Sequence, residues 1–189
     1  MLERIISLLT KVHKTIPRYF KGPSLVFWVF HVLRNYAQTL RQDESRMSGE
    51  LDTFITTADN LEKEVGTIDL VYGHNDLLAA NFIDDGDRLW LVDWDYAGYN
   101  SPLFDLGGLA SNNELSPEQE QWVLKTYYGT EIGRNDIRRY EATKCASLLR
   151  EAMWSMVQEI HSALDFDFVD YTDKNLTLFQ NALEQFKQK

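Results

Sequence analysis

The sequence predicts a mainly α-helical protein of the α+β class, in which a small β-hairpin is inserted into a helical bundle. Apolar residues recur at helical spacing up to residue 66 and again after residue 102. Between these two stretches the pattern changes to short strand-like runs around the turn at residues 84–87. An aromatic content of 13% and a hydrophobic content of 44% are sufficient for a packed core.

Three helices are predicted before the hairpin. The first covers residues 2–14, where apolar side chains repeat every three or four positions. Gly22 and Pro23 then interrupt the chain, and Ser24 suits the N-cap of an apolar second helix that runs to about residue 41. A polar loop separates it from a third helix, which we expect to end at Gly66.

The hairpin and the later helices are predicted from turn and cap signals. The strand-like runs IDLVY, NFI and RLWLVD surround Asp85-Gly86, a typical hairpin turn. Ser116, Pro117 and Gln119 have the spacing of a capping box at a helix start. The later helices are expected at residues 117–128, 135–161 and 170–187. We therefore expect one domain over residues 1–189, composed of a helical segment (1–66), a hairpin with the chemical motifs (67–98) and a helical substrate-binding part (99–189).

Charge and cysteine content restrict the partners. The net charge of −10 argues against nucleic acid and is compatible with metal ions or a cationic substrate. The single cysteine, Cys145, cannot form an intrachain disulfide, which fits a cytoplasmic protein, and we expect a buried, inert thiol. The most apolar run, residues 25–33, is too short to span a membrane and contains His31, and no signal-peptide pattern is present.

Two polar clusters flank the hairpin. The first has His74, Asp76 and Asn81 in the pattern H-x-D-x-x-x-x-N, the spacing of the protein-kinase catalytic loop, and the second contains Asp93. Phosphoryl transfer needs a carboxylate that orients and deprotonates a hydroxyl, for which Asp76 is the candidate. It also needs oxygen ligands for Mg²⁺, for which Asn81 and Asp93 are the candidates. Each residue alone is better explained as a cap or turn residue, whereas their combination favours the chemical interpretation.

At these clusters the sequence resembles a known family. HNDLLAANFI followed by LVDWDYAGYNSPLFDLGGLASN is similar to the choline/ethanolamine kinases, relatives of the aminoglycoside phosphotransferases, and the similarity covers most of residues 68–180. It implies a protein-kinase-like C-terminal lobe. It also implies an ATP- and Mg²⁺-dependent kinase for the hydroxyl of choline, ethanolamine or a similar amino alcohol, in phospholipid precursor metabolism.

The resemblance assigns a role to each residue of the clusters. It implies that Asp76 is the catalytic base, that Asn81 and Asp93 are the magnesium ligands, and that His74 braces the loop by hydrogen bonding. Asp105, in the sequence FDLG, resembles the buried aspartate that holds the catalytic loop by backbone hydrogen bonds. A cap of the following helix is an equally good interpretation of Asp105.

The predicted helix around residues 148–161 is the candidate substrate-binding element. Its core face is expected to contain five apolar residues: Leu149, Met153, Met156, Val157 and Ile160. Glu151, Trp154 and Gln158 share the opposite face. The resemblance implies that Trp154 helps to surround the ammonium group, together with Asp95, Tyr96 and Tyr171. Packing alone is the competing interpretation of Trp154 and Tyr171.

Glu151 departs from the pattern of the family. Many members have an aromatic residue three positions before the tryptophan, where this chain has Glu151. A carboxylate in place of an aromatic face favours a primary or smaller ammonium, or a different amine.

The sequence also lacks features that a complete kinase of this type uses. Before His74 there is no G-x-G-x-x-G loop and no V-A-I-K-like strand. We therefore expect the nucleotide-clamping N-lobe to be absent or to come from a separate chain, and the activity of this chain alone to be very weak or nil. Three alternatives stay open: a kinase for an aminoglycoside, thiamine or a similar acceptor; an amine-binding pseudoenzyme; and an inert helical interaction protein.

Overall fold

The computed structural model describes residues 1–188, and it contains seven α-helices and four short β-strands in that part of the chain. The helices are α1 (Leu2–Thr15), α2 (Val29–Gln42), α3 (Leu51–Val65), α4 (Pro102–Asn112), α5 (Pro117–Tyr128), α6 (Arg134–His161) and α7 (Phe168–Gln188). The strands are β1 (Val71–Gly73), β2 (Phe82–Asp84), β3 (Leu89–Leu91) and β4 (Gly98–Asn100). The predicted mainly helical α+β class is confirmed.

The described residues form two compact units, one of residues 1–27 and 67–140 and the other of residues 28–66 and 141–188. A single domain over residues 1–189 stays a prediction. Within residues 1–188, none of the helices combines the length and the apolar character that crossing a membrane requires.

The first unit contains all four strands, packed with α1, α4 and α5. Strand β2 pairs antiparallel with β3, with Ile83 opposite Trp90, so the predicted hairpin is present. Strand β1 pairs antiparallel with β4, with Tyr72 opposite Tyr99. The hairpin of β2 and β3 packs on an apolar core, whose fully buried members include Ile6, Leu9, Leu77, Leu106, Leu109 and Val123. Leu77 lies in the loop that connects β1 to β2, so the core holds the loop that carries the first polar cluster.

The start of the second helix was predicted wrongly. Helix α2 begins at Val29 rather than after Ser24, because the preceding residues are extended along β4. The backbone N–H of Phe27 donates to the carbonyl of Tyr99 at 2.9 Å, and the N–H of Tyr99 donates to the carbonyl of Leu25 at 2.8 Å. These bonds satisfy backbone groups that a helix would otherwise use.

Strand β4 was not predicted, and its close approach to the extended segment depends on a glycine. A side-chain Cβ at Gly98 would lie 3.0 Å from the carbonyl oxygen of Leu25. Such a contact is tighter than most Cβ atoms make, so glycine lets the backbone of residues 25–27 pass beside the strand without displacement.

The second unit consists of α2, α3, α7 and the part of α6 that follows Tyr140. Its buried apolar residues include Phe30, Leu33, Leu40, Leu51, Leu61, Leu149, Met153, Met156 and Phe179. Ile160 was predicted to belong to the core face of α6, but it is 39% exposed, so this part of the prediction was wrong. Cys145 is buried as expected, and burial raises the pKa of its thiol to about 12, so the thiol stays protonated at neutral pH.

The predicted caps of α3 and α5 are confirmed. Gly66, with φ of 60°, ends α3. At the start of α5 the Ser116 hydroxyl accepts from the N–H of Gln119 at 3.3 Å, and the Gln119 side-chain oxygen accepts from the N–H of Ser116 at 2.8 Å. Local sequence therefore determines where these two helices begin or end.

Ser116→Ala should lower the free energy of unfolding by about 1 kcal/mol, because the first turn of α5 loses the hydroxyl that caps it. Urea denaturation followed by circular dichroism measures this change. Ser24→Ala is the matched control, since Ser24 is an exposed serine that caps no helix. That control should change the free energy by less than about 0.5 kcal/mol. Equal effects of the two substitutions would contradict a capping role for Ser116.

Candidate active site

The loop after β1 is held by the carboxylate of Asp105. Its Oδ2 accepts from the backbone N–H of His74 at 2.8 Å, and its Oδ1 accepts from that of Asn75 at 2.7 Å. Asp105 is buried in the first turn of α4, but the cap of that helix is Ser101, whose hydroxyl accepts from the N–H of Leu103. The Asp105 carboxylate is therefore directed at the loop rather than at the end of its own helix.

The charge of Asp105 is maintained by its hydrogen bonds. Burial opposes ionisation, but hydrogen bonds from His13 and from the two loop N–H groups outweigh it and hold the pKa of the Asp105 carboxyl below its usual value. A buried carboxylate with three donors is a strong acceptor. The loop is thus anchored by two charge-assisted hydrogen bonds immediately before Asp76.

Asn75 shapes the loop, and it was missed in the sequence. Its φ of 66° lies in the left-handed region, which asparagine tolerates better than most residues. Its side-chain nitrogen donates to the carbonyl of Tyr96 at 3.0 Å, and its side-chain oxygen accepts from Asn100 at 3.1 Å. Asn75 thereby connects the loop after β1 to the segment that enters β4. The only local signal was an asparagine in a G-H-N-D turn.

His74 connects the same loop to the residue before Asp93. Its ring is buried, and Nε2 donates to the carbonyl of Val92 at 2.8 Å. The ring also lies edge-on to Trp94, with centroids 4.9 Å apart. These contacts join the two polar clusters by a direct hydrogen bond and leave His74 enclosed by protein.

Asn81 lies where the loop ends and β2 begins. Its side-chain nitrogen donates to the backbone carbonyl of Asp76 at 2.8 Å, and its own carbonyl accepts from the N–H of Val92 at 3.0 Å. Because the amide nitrogen is used within the loop, the amide oxygen faces the other way and is the atom available to a cation. The structure therefore brings the backbone around Asp76, Asn81 and Asp93 to one end of the hairpin.

Asp93 is exposed and has an unusual backbone conformation. Its φ of 61° is in the left-handed region, and it is the second residue after β3. Non-glycine residues with positive φ are often found at functional sites. Asp93 thus exposes its side chain to solvent one residue after Val92, whose N–H donates to the carbonyl of Asn81.

The oxygen atoms at this end of the hairpin are suited to Mg²⁺. Within residues 1–188 no three His, Cys, Asp or Glu side chains form a group that could hold a metal ion. A site built by Asp93 and the amide oxygen of Asn81 would therefore have few protein ligands. Mg²⁺ commonly binds in this way, with one or two carboxylates, waters and substrate phosphates completing its octahedron.

The predicted substrate residues Asp95 and Tyr96 belong to the first unit. They lie in a turn closed by a hydrogen bond from the N–H of Ala97 to the carbonyl of Trp94 at 3.0 Å. Asp95 is exposed, whereas Tyr96 is half-buried, with its ring edge-on to Phe27 at 6.1 Å. This turn follows Asp93 directly and is connected to the loop after β1 through Asn75.

Glu151, Trp154 and Tyr171 belong to the second unit, where the structure brings them together. The Trp154 ring is edge-on to that of Tyr171, with centroids 6.4 Å apart, and the Tyr171 hydroxyl donates to Oε1 of Glu151 at 2.9 Å. Arg150 donates to Oε2 of Glu151 at 3.1 Å. Glu151 was predicted on the non-core face of its helix, but it is only 7% exposed, which these two partners make possible.

Sequence similarity identifies the family of this chain. The sequence model of the choline/ethanolamine kinase family matches residues 1–116, which is more than half of the chain. The chain belongs to the choline/ethanolamine kinase family. The resemblance of the two polar clusters is therefore confirmed at the level of the family.

Two relatives and one solved structure show how much of a family member this chain covers. Protein LicA of Haemophilus influenzae is 31% identical over 97% of this chain and 69% of its own length. Ethanolamine kinase 2 of Rattus norvegicus is 31% identical over 90% of this chain and 50% of its own length. The crystal structure of a choline/ethanolamine kinase family protein from Mesorhizobium loti covers 98% of this chain and 64% of its own, with a TM-score of 0.86 and 24% identity. The chain thus spans half to about two thirds of these proteins, and the last comparison confirms the fold.

Proposed function

We propose that this chain carries the phosphoryl-transfer site of an ATP- and Mg²⁺-dependent kinase for the hydroxyl of choline, ethanolamine or a similar amino alcohol. One observation carries the proposal: hydrogen bonds fix the catalytic loop at both of its ends. Asp105 holds the two residues before Asp76, and the Asn81 side chain holds the carbonyl of Asp76 itself. Phosphoryl transfer depends mainly on positioning and on charge stabilisation, which such a loop can supply.

The roles of the polar residues follow from their positions. Asp76 is half-buried and would orient the acceptor hydroxyl and accept its proton. Asn81 and Asp93 would hold Mg²⁺, which supplies charge neutralisation at the nucleotide phosphates when it is bound. His74, buried and bonded to Val92, would keep the two clusters in register without exchanging protons with the substrate. Further contacts to ATP would come from an N-lobe in the same or a separate chain.

The amine would be recognised by aromatic faces and carboxylates. Trp154 and Tyr171, in the second unit, would supply aromatic faces to the ammonium group. In the first unit, Asp95 and Tyr96 stay predicted substrate residues, with an exposed carboxylate and a half-buried ring. Glu151 has a different part here, because Tyr171 and Arg150 already bind both of its carboxylate oxygens. We propose that Glu151 orients the Tyr171 ring and does not itself bind the ammonium. Substrates of this kind and the single buried thiol suit the cytoplasm.

Phosphorus NMR of the chain incubated with Mg-ATP and either choline or ethanolamine tests the proposed activity. A slowly growing phosphomonoester signal that depends on the amine is the expected result. Amine-induced thermal stabilisation without nucleotide and without any product would favour the amine-binding pseudoenzyme. Product formation with an aminoglycoside or thiamine, and none with the two amino alcohols, would overturn the proposed acceptor.

Asp93→Asn should weaken Mg²⁺ binding by on the order of 10–100-fold, because the site loses its charged ligand. Isothermal titration of the chain with Mg²⁺ measures the affinity. Asp87→Asn is the matched control, since Asp87 is an exposed carboxylate in the nearby hairpin turn and has no assigned role. If Asp93→Asn binds Mg²⁺ with unchanged affinity, or if Asp87→Asn loses as much affinity, Asp93 is not a specific magnesium ligand. Either result would favour an inert helical protein.

A further inference from the structure

We infer that Tyr127 and His13 form a directional hydrogen-bond chain that positions Asp105 and, through it, the catalytic loop. His13 lies at the end of α1, and its Nε2 is 2.8 Å from Oδ2 of Asp105. Its Nδ1 is 2.7 Å from the hydroxyl of Tyr127 on α5. The three side chains therefore connect α5, α1 and α4 to the loop that carries Asp76. Neither His13 nor Tyr127 was singled out in the sequence.

The direction of the chain follows from the donors and acceptors. A carboxylate can only accept, so Nε2 of His13 must carry the hydrogen that points to Asp105. In a neutral imidazole Nδ1 is then an acceptor, and the Tyr127 hydroxyl donates to it. Burial raises the pKa of the Tyr127 hydroxyl, which therefore keeps its proton. In residues 1–188 the hydroxyl has no other hydrogen-bond partner, so this arrangement satisfies all three groups at once.

The close packing around Asp105 explains why its orientation needs a fixed partner. His13 and the backbone of His74 share Oδ2, so rotation of the carboxylate would disturb both bonds. A Cβ at Gly73 would lie 3.1 Å from Oδ2 of Asp105 and 2.9 Å from Oδ1 of Asn75, and glycine leaves the room that both need. His13 is thus a positioning residue that acts through Asp105, and Tyr127 selects the imidazole tautomer that can do so. The inference rests on the proposed function only in that this loop carries the proposed base.

Long-range ¹⁵N–¹H NMR of the His13 ring tests the direction of the chain in the unsubstituted protein. A protonated Nε2 with an unprotonated Nδ1 is the expected result. A hydrogen on Nδ1, in either the other tautomer or the imidazolium, would overturn the inference, because Tyr127 would then be an acceptor. Neither result depends on magnesium or substrate, so failure here would leave the proposed function standing.

Hydrogen exchange in Tyr127→Phe tests whether the chain reaches the loop. The substitution keeps the ring and removes the donor, so exchange of the His74 and Asn75 amides should accelerate on the order of tenfold while core amides of α6 stay unchanged. Tyr128→Phe, at the neighbouring exposed tyrosine, should leave both amides unaffected. Unchanged exchange at the two loop amides, or equal acceleration throughout the protein, would show that Tyr127 has only a general structural role.

Two substitutions of His13 provide a second test of whether the chain positions the loop. The side-chain nitrogen of glutamine can replace the Nε2 donor of His13, whereas leucine cannot. His13→Gln should therefore retain more protection at the His74 and Asn75 amides than His13→Leu. Equal loss of protection in the two variants, with both proteins folded, would contradict a donor role for His13.

Discussion

Asp105→Asn should lower the free energy of unfolding by about 2–3 kcal/mol, the upper part of the range for leaving a buried hydrogen-bonding group unsatisfied. Asp105 accepts from His13, His74 and Asn75, and it is 2% exposed. An asparagine has one oxygen in place of two, so its amide nitrogen would face at least one of these donors and leave it unsatisfied. Urea denaturation measures the loss, and exchange of the loop amides should accelerate with it.

Asp52→Asn is the matched control for this substitution. Asp52 also lies in the first turn of a helix, α3, but its side chain is exposed and forms a surface ion pair with Arg41. Asp52→Asn should cost less than about 1 kcal/mol. If Asp105→Asn is equally mild, Asp105 acts only as an acid in the first turn of α4, and the anchoring of the loop by its carboxylate is wrong.

The same residue predicts an acid dependence of stability. The pKa of Asp105 is lower in the folded protein than in the unfolded chain, so the unfolded chain takes up its proton first as the pH falls. The stability that Asp105 contributes is therefore complete above the pKa of its carboxyl in the unfolded chain, about 4. It decreases as the pH falls towards the lower pKa of the folded protein. Asp105→Asn should lack this part of the acid dependence in denaturation measured from pH 7 downwards.

Asp76→Asn should lower the rate of phosphoryl transfer about 10²–10⁴-fold, because asparagine cannot accept the proton of the attacking hydroxyl. The fold and Mg²⁺ binding should persist, since the substitution keeps the backbone carbonyl, which accepts from the Asn81 side chain and from the N–H of Leu78, and keeps Asn81 and Asp93. Transfer of the labelled γ-phosphate of ATP to choline or ethanolamine gives the sensitivity that a weak basal activity requires.

Asp87→Asn, on the exposed hairpin turn, is the control for this activity measurement and should retain the unsubstituted rate. Undiminished transfer by Asp76→Asn would exclude Asp76 as the base. A circular dichroism spectrum that differs from that of the unsubstituted chain would assign the loss to misfolding, and the smaller change Asp76→Glu would then decide between the two explanations by the activity that it retains.

Local signals predicted those parts of the fold that depend on few residues. The capping box of α5, the glycine that ends α3 and the turn of the β2–β3 hairpin each satisfy their own backbone groups within a few residues. The start of α2 was different, because the backbone of residues 25–27 pairs with β4, some 70 residues later in the chain. No periodicity in a short window contains that partner, so the extended segment and β4 were both missed.

The residues of the candidate site also fall into those that local sequence predicts and those that depend on distant partners. The spacing of Asp76, Asn81 and Asp93 around a hairpin was visible because all three lie within one short stretch of sequence. The residues that hold this stretch are distant from it, and His13 approaches Asp105 across 92 positions of sequence. We predicted that Glu151 lies on the non-core face of its helix. The prediction failed because its burial depends on Tyr171, which belongs to another helix. Long-range hydrogen bonds of this kind leave no pattern in a single sequence.

Paramagnetic broadening by Mn²⁺ in place of Mg²⁺ tests most directly whether this end of the hairpin is a metal site. In ¹H–¹⁵N spectra of the chain, the amide resonances of Asn81 and Asp93 and their neighbours should broaden first as Mn²⁺ is added. Asp84, Asp85 and Asp87 form an exposed acidic turn at the other end of the hairpin, and their amide resonances are the internal comparison. Broadening centred on that turn, with sharp resonances at Asn81 and Asp93, would contradict a magnesium-dependent phosphoryl-transfer site in this protein.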